Sequence, residues 1–193
     1  MTTANKITIV RILLVPLFLS QVLYYVETGS ETYRLVAILS FVIASISDGV
    51  DGYLARHYNQ HSELGRILDP LADKMLLVSA VVLLSFKNEP HLRAIPKFLT
   101  LAILSRDVLL LLGAAVIQHL CGKVLVRPVL LGKAATVLQM ACVVWTLFKW
   151  PYNYLYYLAV AATVCTAISG LIYVYEGMRQ LSASPSSSPS EKQ

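Results

Sequence analysis

Long apolar runs, broken by short polar clusters, dominate the pattern from residue 7 to residue 177. Six runs stand out, at about 7–26, 34–55, 69–87, 96–119, 132–149 and 152–177. Each is close to the roughly 20 residues that a helix needs to cross a bilayer core. The breaks between them carry turn or boundary chemistry: ETGSET, NEPHLRAIP, CGKVLVRP and KWPYN. The pattern predicts an all-α, polytopic membrane protein with six transmembrane helices. It forms one domain over residues 1–178, followed by a Ser/Pro-rich cytoplasmic tail over 179–193 that is expected to be disordered. No internal repeat is visible. The first run follows Lys6, includes Arg11 and Pro16, and lacks a small-x-small cleavage site, so it reads as a retained helix rather than a signal peptide.

Composition agrees. Of 193 residues, 56% are hydrophobic and only 14% charged, against about 25% charged in soluble domains. The net charge of +5 is the ordinary result of basic residues at the ends of membrane helices. No aromatic–basic interleaving suggests a nucleic-acid surface, and nucleic acid is not expected as a partner. With the N-terminus inside, ten lysines and arginines from Lys6 to Lys192 lie on the inner side. Five lie outside: Arg34, Lys87, Arg93, Lys97 and Lys149. The positive-inside bias therefore favours N-in, C-in, in what is expected to be a bacterial inner membrane. Cys121, Cys142 and Cys165 form neither a metal-ligand pattern nor a disulfide framework. They read as small apolar residues of helices.

One stretch departs from this apolar pattern. Residues 47–74, SDGVDGYLARHYNQHSELGRILDPLADK, hold Asp48, Asp51, Asp69 and Asp73. Asp48 and Asp51 are spaced i, i+3 near the inner end of the second run. Asp69 and Asp73 are spaced i, i+4 at the inner start of the third. Both spacings place two side chains on one helix face. A carboxylate within the bilayer costs roughly 3 kcal/mol, so four uncompensated ones would cost about 10 kcal/mol or more. Divalent cations answer this best, and carboxylate-rich oxygen sites suit Mg²⁺ or Mn²⁺. Gly49 and Gly52 make a thin helix wall that lets a ligand approach. Arg56 is placed to meet a phosphate. Together these features suggest a phosphate ester or diphosphate held at the membrane surface. Plainer readings exist for each part. Asp69 before Pro70 fits an N-cap. Asp48 and Asp51 fit structural ion pairs with Arg56 and Lys74, both read as lying at helix ends. Gly65 fits a turn, and His57 and His61 fit a solvated loop between the two helices. Acidic residues in membrane helices also occur in transporters, so a metal-binding transporter is the alternative from another class. Here, however, the carboxylates cluster at one face rather than along a path.

The spacing Asp48-x₂-Asp51-Gly52-x₂-Ala55-Arg56-x₈-Gly65-x₃-Asp69-x₃-Asp73 resembles, position for position, the signature of the CDP-alcohol phosphatidyltransferase family. NKITIVRILLVP, with Asn5, Thr8 and Arg11, resembles the family's N-terminal pattern. The resemblance covers residues 5–178 and implies the family's fold. It also implies transfer of a phosphatidyl group from CDP-diacylglycerol to the hydroxyl of an alcohol acceptor, with release of CMP, by a membrane-embedded homodimer. It assigns two divalent cations, Mg²⁺ or Mn²⁺, to Asp48, Asp51, Asp69 and Asp73, and the general base to Asp73. Gly52, Ala55, Arg56 and Gly65 would shape the CDP site. Arg106, Arg127 and Lys133 are candidates for an acceptor phosphate. GKAATVLQ and the DGYLAR wording are similar to the branch that uses glycerol 3-phosphate, which is the expected acceptor. Ser105-Arg106-Asp107 is more similar to the cardiolipin synthases, which use phosphatidylglycerol. On this assignment Asp73→Asn retains the fold and loses turnover. Substantial residual activity in a CMP-release assay would remove Asp73 from the role of base.

Overall fold

The computed structural model describes residues 3–58, 63–86, 90–121 and 130–182. It describes side chains for 9–47, 74–86, 90–117, 119 and 130–180. Six helices follow in order: α1 (Thr3–Thr28), α2 (Glu31–Tyr58), α3 (Glu63–Ser85), α4 (Lys97–Cys121), α5 (Leu130–Leu147) and α6 (Tyr152–Ser182). Among the described residues there is no strand. The all-α expectation and the number of helices are both met. Among the described residues, four segments are long and apolar enough to cross a membrane: Ile9–Thr28, Lys97–Ile117, Leu130–Leu147 and Tyr152–Gln180. Lys74–Ser85 is a shorter apolar stretch.

The helix ends have identifiable causes. α1 stops at Gly29, which adopts a left-handed φ of 69° and donates its N–H to the Tyr25 carbonyl at 2.8 Å. Glycine is needed there for a second reason, since a Cβ would meet the His91 ring at 2.5 Å. α5 closes in a Schellman arrangement. The Trp150 N–H reaches the Trp145 carbonyl at 3.3 Å and the Lys149 N–H reaches Thr146 at 3.1 Å. The left-handed position, φ 56°, is filled by Lys149 instead of glycine. Its side chain is put to use below. Pro151 follows and cannot continue the helix.

Each helix turns one stripe inward. Phe18, Val22 and Tyr25 of α1 meet Ala37, Phe41 and Ala44 of α2. Leu77, Ala80, Val81 and Leu84 carry the stripe along α3. Cys142, Val143 and Leu147 on α5 and Leu155, Ala159 and Ala162 on α6 complete one core. α1 packs chiefly on α2 and also on α3, while α4 and α5 both pack on α6. The outward faces hold large apolar side chains, with Leu13 64%, Leu111 68% and Leu171 70% exposed. Alanines at the helix crossings, with large apolar residues facing outward, are the packing expected where hydrocarbon surrounds the protein. Two polar groups inside are bonded to each other across helices. Gln139 Nε2 donates to Thr166 Oγ1 at 2.9 Å across α5 and α6, and Thr166 donates on to the Ala162 carbonyl at 2.7 Å.

At one end of the bundle an ion cluster ties the turns together. Glu31 pairs with Arg34 at 2.5 Å and with Lys149 at 2.9 Å. Arg34 also donates to the Leu147 carbonyl at the end of α5, at 3.2 Å. The Lys149 ammonium sits 5.1 Å from the centre of the Tyr25 ring. The hydrogen bond from Lys149, with Arg34 beside it, holds the Glu31 carboxyl below its ordinary value of 4.5. A carboxyl with a lowered folded-state pKa contributes stability above its unfolded value and loses it as pH falls through the folded one. Thermal unfolding in detergent should therefore show wild type losing stability as pH falls from about 5 to about 3. Glu31→Gln should lose less over the same interval. Equal losses in the two proteins would show that Glu31 contributes nothing to the pH dependence.

Candidate active site

α2 ends and α3 begins at the same end of the bundle, joined by a link of only four residues, 59–62. Asp48 and Asp51 lie within the last three turns of α2. Asp69 and Asp73 are the seventh and eleventh residues of α3. The side chains of all four lie outside the described residues, as do those of Gly52, Ala55, Arg56 and Gly65. Arg127 and His61 lie outside them altogether. The backbone alone corrects three expectations. α3 starts at Glu63, so Asp69 and Pro70 are inside a helix and do not form its cap. Gly65 is in the first turn of α3 rather than in a connecting turn. His57 belongs to the last turn of α2 rather than to the loop. The reason is that hydropathy marks bilayer depth, whereas helical hydrogen bonding continues into polar sequence.

The donor set suits a hard divalent cation. Two consecutive helices supply four carboxylate-bearing positions at helical spacing, and oxygen ligands are what Mg²⁺ and Mn²⁺ take. Among the described residues, which do not include the four aspartate side chains, no group of three metal-ligating side chains forms.

Immediately beyond Asp73 the side chains are described. Lys74 does not stand free at a helix end, as its sequence context suggests. It is the twelfth residue of α3, and its Nζ lies 2.9 Å from Asp107 Oδ1 on α4. The same oxygen accepts from Arg106 Nη1 at 3.5 Å. Lys74 is half-exposed, whereas Arg106 and Asp107 are only 14% and 15% exposed. Two cations share one anion, so the group keeps one positive charge in a partly buried position.

Arg106 lies between three helices. Its guanidinium carbon is 5.9 Å from the centre of the Tyr173 ring on α6. Its side chain passes Gly170 of α6, and Nη2 faces Gly132 at the start of α5. Its Nε is buried and has no hydrogen-bond partner. Lys133 follows Gly132 but is exposed. Of the three expected phosphate ligands, then, Arg106 is packed into a cleft, Lys133 is exposed and Arg127 is outside the described residues. From Tyr173 an apolar groove of about 310 Å³ runs between the C-terminal halves of α4 and α6. Leu109, Leu112, Val116, Ile117, Val174 and Gly177 line it, with Glu176 and Gln180 as its polar members. On α1, Arg11 is fully buried.

These features describe a helical membrane protein with an acidic end on two helices and a cationic cleft beside it. The chain belongs to the CDP-alcohol phosphatidyltransferase family, whose sequence model matches residues 1–168. A probable phosphatidylglycerophosphate synthase of Mycobacterium tuberculosis (strain ATCC 25618 / H37Rv) is 33% identical over 184 residues, covering 92% of this chain and 82% of the relative. A CDP-diacylglycerol–glycerol-3-phosphate 3-phosphatidyltransferase of Bacillus subtilis (strain 168) is 35% identical, covering 72% of each chain. A cardiolipin synthase (CMP-forming) of Streptomyces coelicolor is 36% identical, covering 70% of this chain and 60% of the relative. The chain is thus an enzyme of a transferase family and an integral membrane protein, and the transporter reading is set aside.

Reading the sequence did not reveal Asp107 as the partner of Lys74, nor Gly132, Gly170 and Tyr173 around Arg106. The available signals were faint: a carboxylate next to an arginine in an apolar run, and glycines inside helices. Removing Asp107 leaves two cations close together, one of them mostly buried. Asp107→Ala should therefore destabilise by about 2 kcal/mol, while Lys74→Ala, at a half-exposed partner, should cost about 1 kcal/mol or less. A double-mutant cycle on thermal or denaturant unfolding checks this, and strictly additive losses would dissolve the pair as a source of stability.

Proposed function

We propose that the protein transfers the phosphatidyl group of CDP-diacylglycerol to glycerol 3-phosphate, giving phosphatidylglycerophosphate and CMP. The observation that carries this reading is the Arg106 cleft, where a guanidinium of net-positive surroundings is held one helix away from Asp73. A phosphorylated acceptor needs such a cation, and a guanidinium meets phosphate oxygens in a bidentate manner. The names of the relatives from Mycobacterium tuberculosis and Bacillus subtilis support the same acceptor.

Arg106, with Lys133 and Arg127 as further phosphate ligands, binds the acceptor phosphate and directs its primary hydroxyl toward the acidic end of α2 and α3. Asp73 takes the hydroxyl proton, because an alcohol is a poor nucleophile at neutral pH and a positioned carboxylate base relieves that. The acceptor oxygen forms a bond to the phosphatidyl phosphorus while the phosphorus–oxygen bond to CMP breaks. The leaving charge departs with CMP. Gly52, Ala55, Arg56 and Gly65 frame the nucleotide end of the donor. Asp48, Asp51, Asp69 and Asp73 would hold two Mg²⁺ or Mn²⁺ ions, which when bound neutralise the diphosphate and orient it for in-line displacement. The enzyme works as a homodimer in a bacterial inner membrane, N-in and C-in, with this site at the cytoplasmic face.

A second reading has its own support. The apolar groove between α4 and α6 begins at Tyr173, the residue beneath Arg106. An anionic lipid acceptor such as phosphatidylglycerol would find a cation and a place for a chain side by side. The Ser105-Arg106-Asp107 wording and the Streptomyces coelicolor relative point the same way.

The experiment supplies purified protein in detergent with CDP-diacylglycerol and Mg²⁺. It offers glycerol 3-phosphate or phosphatidylglycerol, each with a chelator control. Chelator-sensitive CMP release with phosphatidylglycerophosphate as product is the expected result. Cardiolipin from the second acceptor alone would replace glycerol 3-phosphate by the lipid. CMP release unaffected by chelation would remove the metal assignment.

A further inference from the structure

Arg106 occupies a slot that depends on missing side chains. A Cβ on Gly132 would stand 3.2 Å from Arg106 Nη2, tighter than ordinary contact. A Cβ on Gly170 would stand 3.4 Å from Arg106 Cγ. Gly132 stands in the first turn of α5 and Gly170 in the interior of α6, so two different helices each present a position without a side chain to the same arginine. Glycine alone does not mark such a position, since a Cβ on Gly113 of α4 would meet nothing within 4 Å. Tyr173 supplies a third wall, its ring under the guanidinium at 5.9 Å. Asp107 holds Nη1 at 3.5 Å.

The geometry points to Gly132, Gly170 and Tyr173 as positioning residues that set the orientation of Arg106 and thereby determine affinity for the acceptor's anionic phosphate group. This rests on the reading of Arg106 as the acceptor-phosphate ligand. A free arginine side chain carries considerable rotamer entropy, much of which binding would otherwise have to remove. Walls from α5 and α6 remove it beforehand, so the guanidinium meets the phosphate already oriented. The competing explanation is that the glycines only let helices approach closely. That role would affect folding and every kinetic constant alike.

The test measures kcat and both KM values, for CDP-diacylglycerol and for the acceptor turned over, whether glycerol 3-phosphate or phosphatidylglycerol. The variants are Gly132→Ala, Gly170→Ala, Tyr173→Ala, Tyr173→Phe and Arg106→Ala, and the combination of Arg106→Ala with Gly132→Ala. Gly132→Ala should raise the acceptor KM about five- to tenfold and Gly170→Ala about twofold, with kcat within about twofold and the CDP-diacylglycerol KM unchanged. Gly132→Ala should add nothing once Arg106 is alanine. Tyr173→Ala should raise the acceptor KM and Tyr173→Phe should restore it, which keeps the test open if a glycine variant fails to fold. Glycine effects that persist without Arg106, or fall equally on the donor KM, overturn the positioning role. An Arg106→Ala variant with normal acceptor KM overturns the phosphate assignment itself. A raised KM in that variant, with silent glycines, overturns only the inference made here.

Discussion

A charge carried among apolar helices must bring its partner along, because hydrocarbon offers neither water nor counterion. In this chain that constraint acts most visibly at Asp107. Its Oδ1 receives Lys74 from α3 and Arg106 from its own helix. The pairing fixes how α3 and α4 are rotated against each other just beyond Asp73. It also leaves the group with a surplus positive charge, the feature on which the proposed acceptor-phosphate site rests.

The rest of the packing is consistent with that requirement. Apolar side chains cannot drive helices together where the solvent is equally apolar, so contact depends on close fit and on a few internal hydrogen bonds. Alanines and glycines at the crossings let the backbones approach, as Ala37, Ala44, Ala159 and Ala162 do in the core. Gln139 and Thr166 add a buried hydrogen bond between α5 and α6. At the opposite end from the cleft, Glu31, Arg34 and Lys149 join the α1–α2 turn to the end of α5. The bundle is therefore tied by ions at one end, while α2 ends and α3 begins at the other.

Much of this was legible along the chain. Hydropathy located all six helices to within a few residues except α3, whose start lies six residues earlier than the apolar run. The departure has a cause, since polar sequence can stay helical after it leaves the membrane. The i, i+3 and i, i+4 spacings of the aspartates required no tertiary information, because helical period is a local property. The family signature around them is a pattern of residue types at fixed spacing, which is also local.

What only the tertiary structure decided is which charges meet. From the sequence, Lys74 could serve the aspartates or the solvent, and Arg106 could pair with any nearby carboxylate. The fold gives both to Asp107. It also gives Arg106 a slot between Gly132 and Gly170, residues 38 positions apart in the chain by their numbers. Such pairings depend on how far each helix is rotated and where it crosses its neighbours. Periodicity within a single helix carries no information about either, so the sequence by itself determined the helices and the acidic signature, and the packing of α4 against α5 and α6 determined the cleft.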